Sequence, residues 1–100
     1  MTPITATSAV AVGQGHLFKD PATGNPAWLV RTGPESFKAF SAVCTHAGCT
    51  VDYDPSAREF VCPCHGGAYQ AGTGSVVAGP PPQPLPAISV AVQTGTVYVK

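Results

Sequence analysis

The chain has 100 residues, a formal net charge of zero and only 10% charged side chains, so it offers no basic surface to nucleic acid. We expect a single domain, of a size at which an apolar core alone gives only marginal stability. Eleven glycines and eleven prolines favour turns and short strands over helices. No apolar run approaches the roughly 18 residues that span a bilayer, and the first residues lack the pattern of a signal peptide.

The first half of the chain predicts short strands separated by turns. Residues 9–12 are a run of small and β-branched side chains, which predicts a first strand. Residues 27–30 and 37–40 predict a pair of strands joined by the turn at residues 32–34. We expect the aromatic side chains of this pair to lie in the core.

A second hairpin is predicted in the middle of the chain. Residues 51–53 and 59–61 have strand composition and flank a proline-containing turn at residues 54–57. Such a hairpin brings the segment before its first strand close to the segment after its second strand. The sequence therefore predicts that two loops distant in the chain meet at one end of this hairpin.

The carboxyl-terminal segment predicts a third hairpin. Apolar residues alternate over residues 88–92 and again over residues 97–99, and Thr94-Gly95 supplies the turn between them. No helical period stands out anywhere in the sequence. We therefore predict an all-β fold, an antiparallel sandwich or barrel formed by residues 1–100, with residues 43–79 as an inserted unit.

All four cysteines and two of the three histidines are concentrated in two short segments of that inserted unit. Each segment holds two cysteines and one histidine, and both segments have glycine directly after or close to the histidine. Cysteine and histidine are ligands for zinc, copper and iron. The residues are Cys44, His46 and Cys49 in the first segment, and Cys62, Cys64 and His65 in the second.

Three kinds of site are compatible with these residues. Four cysteines in a small exported domain can form two disulfides, in three possible connectivities. That alternative leaves unexplained why two histidines lie two and three residues after a cysteine. Zinc accepts a Cys2His2 set, but its usual motif keeps the cysteines together and the histidines together. One cysteine and one histidine from each segment match a Rieske 2Fe–2S centre, in which two histidines replace two cysteines on one iron.

The two segments also resemble a known family. CTHAGC at residues 44–49 and CPCHGGAY at residues 62–69 are similar to the two cluster-binding boxes of Rieske iron–sulfur proteins. Within that family, the subunits of quinol-oxidising cytochrome bc complexes also hold the extra cysteine pair. The resemblance implies the Rieske fold, with residues 43–79 as its cluster-binding subdomain. It implies one 2Fe–2S cluster with these ligands and this disulfide: Cys44 and Cys62 on the inner iron, His46 and His65 on the outer iron, and Cys49 bonded to Cys64.

The same resemblance predicts residues that surround the ligands. Tyr69 occupies the position of a tyrosine whose hydroxyl bonds a ligating cysteine sulfur. Gly67 occupies a position where the family often has a serine that bonds a bridging sulfide. Gly79 and Pro80 begin a segment similar to the proline loop that covers the cluster. Without the serine hydroxyl, we expect a reduction potential in the middle of the roughly −150 to +300 mV range of such centres, better matched to a menaquinol than to a ubiquinol.

The implied function is one-electron transfer in a quinol-oxidising respiratory complex, with oxidoreductase activity of the quinol–cytochrome c reductase type only in the whole assembly. The implied partners are a quinol, a cytochrome b-like membrane subunit or other redox partner, and a cytochrome c-like acceptor; we expect the isolated domain to be monomeric. The disulfide implies the extracytoplasmic side of the membrane, because structural disulfides are rare in the cytosol. The alternative is a soluble Rieske ferredoxin that serves an oxygenase or another oxidoreductase. Such ferredoxins lack the extra cysteine pair and the proline loop.

Overall fold

The computed structural model describes residues 1–45, 48–64, 66–79 and 83–100. Over these residues the secondary structure is almost entirely strand, which confirms the all-β prediction, and no helix is long and apolar enough to cross a bilayer. A 3-10 helix at Thr7–Ala9 lies between the first two strands. The strands are β1 Thr2–Ala6, β2 Gly15–Lys19, β3 Pro26–Gly33, β4 Ser36–Ser41, β5 Asp52–Asp54, β6 Glu59–Val61, β7 Ala68–Gln70, β8 Val76–Ala78, β9 Ala87–Ile88, β10 Val90–Gln93 and β11 Thr96–Val99.

The described strands form three antiparallel sheets, with strand orders β1-β11-β10, β2-β3-β4-β9 and β5-β6-β7-β8. The first two sheets share one apolar cluster, in which Leu29 and Ala39 of the second sheet pack with Val97 of the first. All three side chains are almost completely buried. These two sheets therefore form a sandwich, and the third sheet is attached to it.

Two of the predicted hairpins are present in the sandwich. Strands β3 and β4 pair in register from Ala27 opposite Ser41 to Gly33 opposite Ser36, with one irregularity near the turn. Strands β10 and β11 pair from Val90 opposite Val99 onwards. Strand composition and a short turn were enough to predict the first hairpin, and alternating apolar residues with a short turn predicted the second.

The predicted strand at residues 9–12 is wrong. Val10 is buried in the sandwich core from a loop, whereas Val12 is 46% exposed. The guanidinium of Arg31 donates hydrogen bonds to the carbonyl oxygens of Thr7 (3.2 Å) and Val10 (3.0 Å). A side chain therefore satisfies backbone acceptors that a neighbouring strand would otherwise satisfy.

The third sheet contains the predicted middle hairpin, with Asp52 opposite Val61 and Asp54 opposite Glu59. Strands β7 and β8 extend the sheet beyond this hairpin. On its inner face, Phe60 and its cross-strand partner Tyr69 are fully buried. Phe60 also packs edge-on against Phe40 of β4, with ring centroids 5.8 Å apart, so the core continues from the sandwich into this sheet.

Two aromatic side chains connect the third sheet to the sandwich through hydrogen bonds. The indole nitrogen of Trp28 in β3 donates to the carbonyl oxygen of Val51 at 2.9 Å. The hydroxyl of Tyr53 in β5 donates to the carbonyl oxygen of Gly13 at 2.7 Å. The two rings also contact each other, with centroids 5.9 Å apart. This contact fixes the orientation of the sheet from which the cysteine loops extend; the division at residues 43–79 stays a prediction.

Candidate metal centre

Two loops of the same backbone design hold the cysteines. In the first loop, the amide of Cys44 donates to the carbonyl of Cys49 (2.7 Å), and the amide of Gly48 donates to the carbonyl of Cys44 (3.0 Å). In the second loop, Cys62 bonds the carbonyl five residues later (2.7 Å), and the amide four residues later bonds the carbonyl of Cys62 (2.9 Å). The two loops are therefore closed in the same way, each around its first cysteine.

A glycine in the left-handed region closes each loop. Gly48 has φ 75° and Gly66 has φ 73°, four residues after Cys44 and Cys62 respectively. Residues other than glycine adopt this conformation at a cost in free energy. The shared Cys-x-x-x-Gly spacing is the sequence signal of this repeated loop geometry.

The four cysteines fall into two classes. Cys49 and Cys64 form a disulfide, with Cα atoms 6.5 Å apart and a sequence separation of 15, as the resemblance implied. Cys64 is exposed and Cys49 half-buried. Cys44 and Cys62 lie outside this disulfide and are 2% and 1% exposed. This arrangement does not match the alternative of two structural disulfides.

The disulfide ties the ends of the two loops together. Closing a loop of about 15 residues stabilises a folded domain by about 3 kcal/mol in the chain-entropy view. Because the covalent bond joins the two loops to each other, it also limits their separation. Cys44 and Cys62 both belong to one apolar cluster of buried residues.

These residues fit a mixed-ligand iron–sulfur cluster. Two buried cysteine sulfurs, one on each of two matched loops, supply the thiolate half of the Rieske set. The imidazole half, His46 and His65, lies outside the described residues. Within the described ranges, no group of three or more His, Cys, Asp or Glu side chains is placed to hold a metal ion.

Tyr69 brings a hydroxyl to one of these sulfurs. Its side chain is fully buried, and its oxygen lies 3.4 Å from Cys44 Sγ. The same oxygen accepts the amide of Thr45 at 3.1 Å and lies 2.9 Å from the hydroxyl oxygen of Thr45. That hydroxyl donates in turn to the carbonyl of Gln83 at 2.8 Å. The phenol is thus held by contacts from the first loop.

The pKa of Tyr69 is raised, chiefly because burial disfavours the phenolate and also because of its hydrogen bond with the Cys44 side chain. Hydrogen bonding with the backbone and side chain of Thr45 has the opposite, smaller effect on this pKa. Tyr69 therefore keeps its proton at neutral pH and is available as a hydrogen-bond donor. A donor to a thiolate favours whichever state of the site carries more negative charge.

Formal charges are absent from the sequence around the site. No Asp, Glu, Lys or Arg occurs between Lys38 and Asp52, nor between Glu59 and Lys100. Both cysteine loops and the segment after β8 fall within these stretches. A charged side chain near the site would therefore have to come from another part of the fold.

The remaining predicted residues are distributed as follows. Gly67 is buried, and its carbonyl is the acceptor that closes the second loop. Gly79 is exposed at the end of β8, with open space where a Cβ would lie. Pro80 lies outside the described residues. Thr45 and Gln83 were not singled out by sequence, because their contact joins positions 38 residues apart.

Comparisons with known proteins agree on the family. The family described as Rieske [2Fe-2S] domain matches residues 2–91. The cytochrome b6-f complex iron-sulfur subunit of Parasynechococcus marenigrum (strain WH8102) is 42% identical over 78 residues, which are 76% of this chain and 43% of that subunit. The chain therefore spans less than half the length of this curated relative.

Solved structures show the same fold. A cyanobacterial plasma membrane Rieske protein from Synechocystis PCC 6803 superposes with a TM-score of 0.89 at 28% identity, covering 100% of this chain and 99% of that protein. The ferredoxin of carbazole 1,9a-dioxygenase from Nocardioides aromaticivorans IC177 has a TM-score of 0.75 at 26% identity, covering 99% and 97% of the two chains. A membrane-associated protein and a ferredoxin thus both share the architecture.

Proposed function

Because this chain belongs to the Rieske [2Fe-2S] domain family, whose domain binds a 2Fe–2S cluster, we propose that it is the electron-accepting domain of a quinol-oxidising membrane complex. Family membership sets the zinc alternative aside. When bound, the cluster supplies reversible one-electron chemistry. The proposal includes the residues that ligate the cluster, the redox partners of the domain and the side of the membrane on which it lies.

In this proposal, Cys44 and Cys62 would hold one iron of the cluster, and His46 and His65 would hold the other. Burial of the two cysteines supports their assignment, since it removes them from solvent at the end of the apolar cluster. The disulfide keeps the two loops at a fixed spacing. Tyr69 directs its hydroxyl at Cys44 and thereby favours the reduced, more negative site.

The Cys49–Cys64 disulfide is the observation that carries the choice of function. The resemblance associates this extra cysteine pair with the subunits of quinol-oxidising complexes and not with ferredoxins. A disulfide also supports an extracytoplasmic location, in the periplasm or at the cell exterior. The relatives named as cytochrome b6-f iron-sulfur subunits are consistent with a cytochrome b-like partner.

The alternative function is that of a ferredoxin that carries electrons to an oxygenase or another oxidoreductase. The specific observation in its favour is the near-complete overlap with the carbazole dioxygenase ferredoxin. Fold likeness at that identity does not separate the two roles, because the same domain serves both. The disulfide supports the role in a quinol-oxidising complex over the ferredoxin role.

The test is a deletion of the gene that encodes this chain in its own organism, followed by assays on membranes. We expect quinol-dependent reduction of a cytochrome c to be lost and to return when the gene is restored. A copy with Cys62→Ser should fail to restore it, whereas Gly72→Ala, at an open surface position, should succeed. Normal quinol-dependent cytochrome reduction in the deletion strain, together with loss of an oxygenase activity, would establish the ferredoxin alternative instead.

A further inference from the structure

The Tyr69 hydroxyl lies within hydrogen-bonding distance of two groups, the hydroxyl of Thr45 and the sulfur of Cys44. The Tyr69 oxygen is 2.9 Å from Thr45 Oγ1 and 3.4 Å from Cys44 Sγ. Both are hydrogen-bonding distances, the longer one being normal for sulfur. Thr45 Oγ1 is also 2.8 Å from the carbonyl oxygen of Gln83.

Counting protons fixes the direction of these contacts. A carbonyl oxygen only accepts, so the single proton of the Thr45 hydroxyl is donated to Gln83. The amide of Thr45 donates to the Tyr69 oxygen at 3.1 Å. The oxygen of the Thr45 hydroxyl is therefore left as an acceptor toward Tyr69. The one phenolic proton of Tyr69 has two acceptors, Thr45 Oγ1 and Cys44 Sγ.

We propose that Thr45 is a positioning residue that competes with the Cys44 sulfur for the Tyr69 proton and so holds the reduction potential of the site below the value that Tyr69 alone would give. The inference rests on the proposed role of Cys44 as a cluster ligand. It does not depend on whether the chain is a domain of a quinol-oxidising complex or a ferredoxin.

The effect depends on redox state because the two acceptors differ in charge. The oxygen of Thr45 is neutral in both states, whereas electron density on the Cys44 thiolate rises on reduction. A proton shared with Thr45 is partly withheld from the thiolate, and hydrogen bonds to charged acceptors are stronger than those to neutral ones. Removing the competing oxygen should therefore stabilise the reduced state more than the oxidised state.

Thr45→Val tests this directly, because valine keeps the shape of threonine and lacks the hydroxyl. Thr45→Ser is the matched control, because it keeps the hydroxyl and loses the methyl group. Both changes are made in the otherwise unchanged protein and in Tyr69→Phe, where there is no phenolic proton to compete for. The measurement is the midpoint potential of the cluster-loaded protein, with iron and sulfide content determined for each variant.

We expect Thr45→Val to raise the ratio of reduced to oxidised protein at a fixed applied potential about fivefold to tenfold, which for one electron is about 40–60 mV. Thr45→Ser should stay within about twofold of the unchanged protein, about 18 mV. In the Tyr69→Phe background, Thr45→Val should have no effect beyond about twofold. An unchanged or lowered potential in Thr45→Val would overturn the proposal, as would a shift that persists in Tyr69→Phe.

Cluster loss in Thr45→Val is addressed by Thr45→Ala, which removes the hydroxyl and adds no atoms. A raised potential in Thr45→Ala supports the competition. Loss of the cluster in both variants, with retention in Thr45→Ser, would overturn it, because the hydroxyl would then hold the loops together rather than tune the potential. If the proposed ligands were wrong, the result would be different, because the unchanged protein itself would lack the mixed-ligand spectrum of a Rieske centre.

Discussion

Gly67 lies at a position where the resembled family often has a serine, so this chain lacks a hydroxyl donor there. It is buried, and its backbone already closes the second loop through the amide of Cys62. Gly67→Ser should add a hydroxyl donor near a bridging sulfide. Hydrogen bonds to charged groups contribute about 1.5–3 kcal/mol, of which about 1–2 kcal/mol distinguishes the redox states. The midpoint potential should therefore rise by about 40–90 mV.

Gly67→Ala is the control for this substitution, because it adds the same Cβ without the hydroxyl. Direct electrochemistry on both variants separates the donor from the steric effect. If alanine and serine shift the potential equally, the absent hydroxyl does not explain the tuning of this site.

The backbone conformation of Thr94 conflicts with its β-branched side chain. Thr94 has φ 52° and Gly95 has φ 76°, so both central residues of the β10–β11 turn are left-handed. Two-residue turns of this kind favour Asn-Gly, and β-branched residues are disfavoured at positive φ. Thr94→Asn should increase the free energy of unfolding by about 1 kcal/mol, which raises Tm by about 4–8 °C in a domain of this size.

Thermal unfolding of Thr94→Asn and Thr94→Val provides the check. Valine keeps the β-branch and should give no increase in Tm. Equal Tm values for the threonine and asparagine proteins would show that the positive φ of Thr94 does not reduce the stability of the fold.

At the scale of elements, local pattern predicted strands whose partners are near in sequence. Strands β3 and β4 have strand composition on either side of a short turn, and β10 and β11 carry alternating apolar residues around one. Strand β1 was not predicted, because the polar segment Thr2–Ala6 becomes a strand only through its pairing with β11, with Thr2 opposite Val99. Tertiary pairing of this range has no local signature.

At the site, too, features set by nearby residues were predicted, whereas contacts between residues distant in sequence were not. The spacing of cysteine, histidine and glycine predicted both loops, and the resemblance predicted the disulfide that the structure contains. The contact between Thr45 and Gln83 joins two loops through a fold that the sequence does not specify at the level of side chains. The interface between the third sheet and the sandwich was missed for the same reason.

That interface depends on the absence of a side chain at Gly15 in β2. A Cβ there would lie 2.7 Å from Tyr53 Cδ2 and 3.2 Å from Trp28 Cε3. The hydrogen bond of Tyr53 to Gly13 restrains its ring from moving aside. Gly15→Ala should therefore reduce the free energy of unfolding by about 1–3 kcal/mol, the usual cost of overpacking.

Urea denaturation of Gly15→Ala, with Gly72→Ala as its control, measures this cost. No atom lies within 4 Å of a Cβ placed at Gly72, so that substitution should be neutral or should stabilise by about 0.4–1 kcal/mol. Equal stability of the two variants would contradict the close packing at this interface.

For the whole molecule, the raised pKa of the half-buried Tyr53 predicts a loss of stability at alkaline pH. The pKa of Tyr53 is raised from 10.0, chiefly by burial and further by Asp54, while Arg58 opposes the shift. A raised pKa in the folded state means that folding holds the proton more tightly than the unfolded chain does. The associated stability is present below about pH 10 and is lost as the pH rises through the folded pKa.

Unfolding by urea at pH 8 and above pH 10 should show this decline, with a smaller slope in Tyr53→Phe. At neutral pH the same variant should lose about 0.5–1.5 kcal/mol, because the hydrogen bond to Gly13 is gone. An alkaline slope as steep in Tyr53→Phe as in the unchanged protein would exclude Tyr53 as the source.

The most direct test of the whole account is the metal content of the purified protein together with the EPR spectrum of its reduced form. Cys44, His46, Cys62 and His65 predict two irons and two acid-labile sulfides per chain. The average g value should be below that of four-cysteine ferredoxins, because two imidazoles replace two thiolates on one iron. One tightly bound zinc without iron, in protein made with intact cluster assembly, or the spectrum of a four-cysteine cluster, would contradict the account.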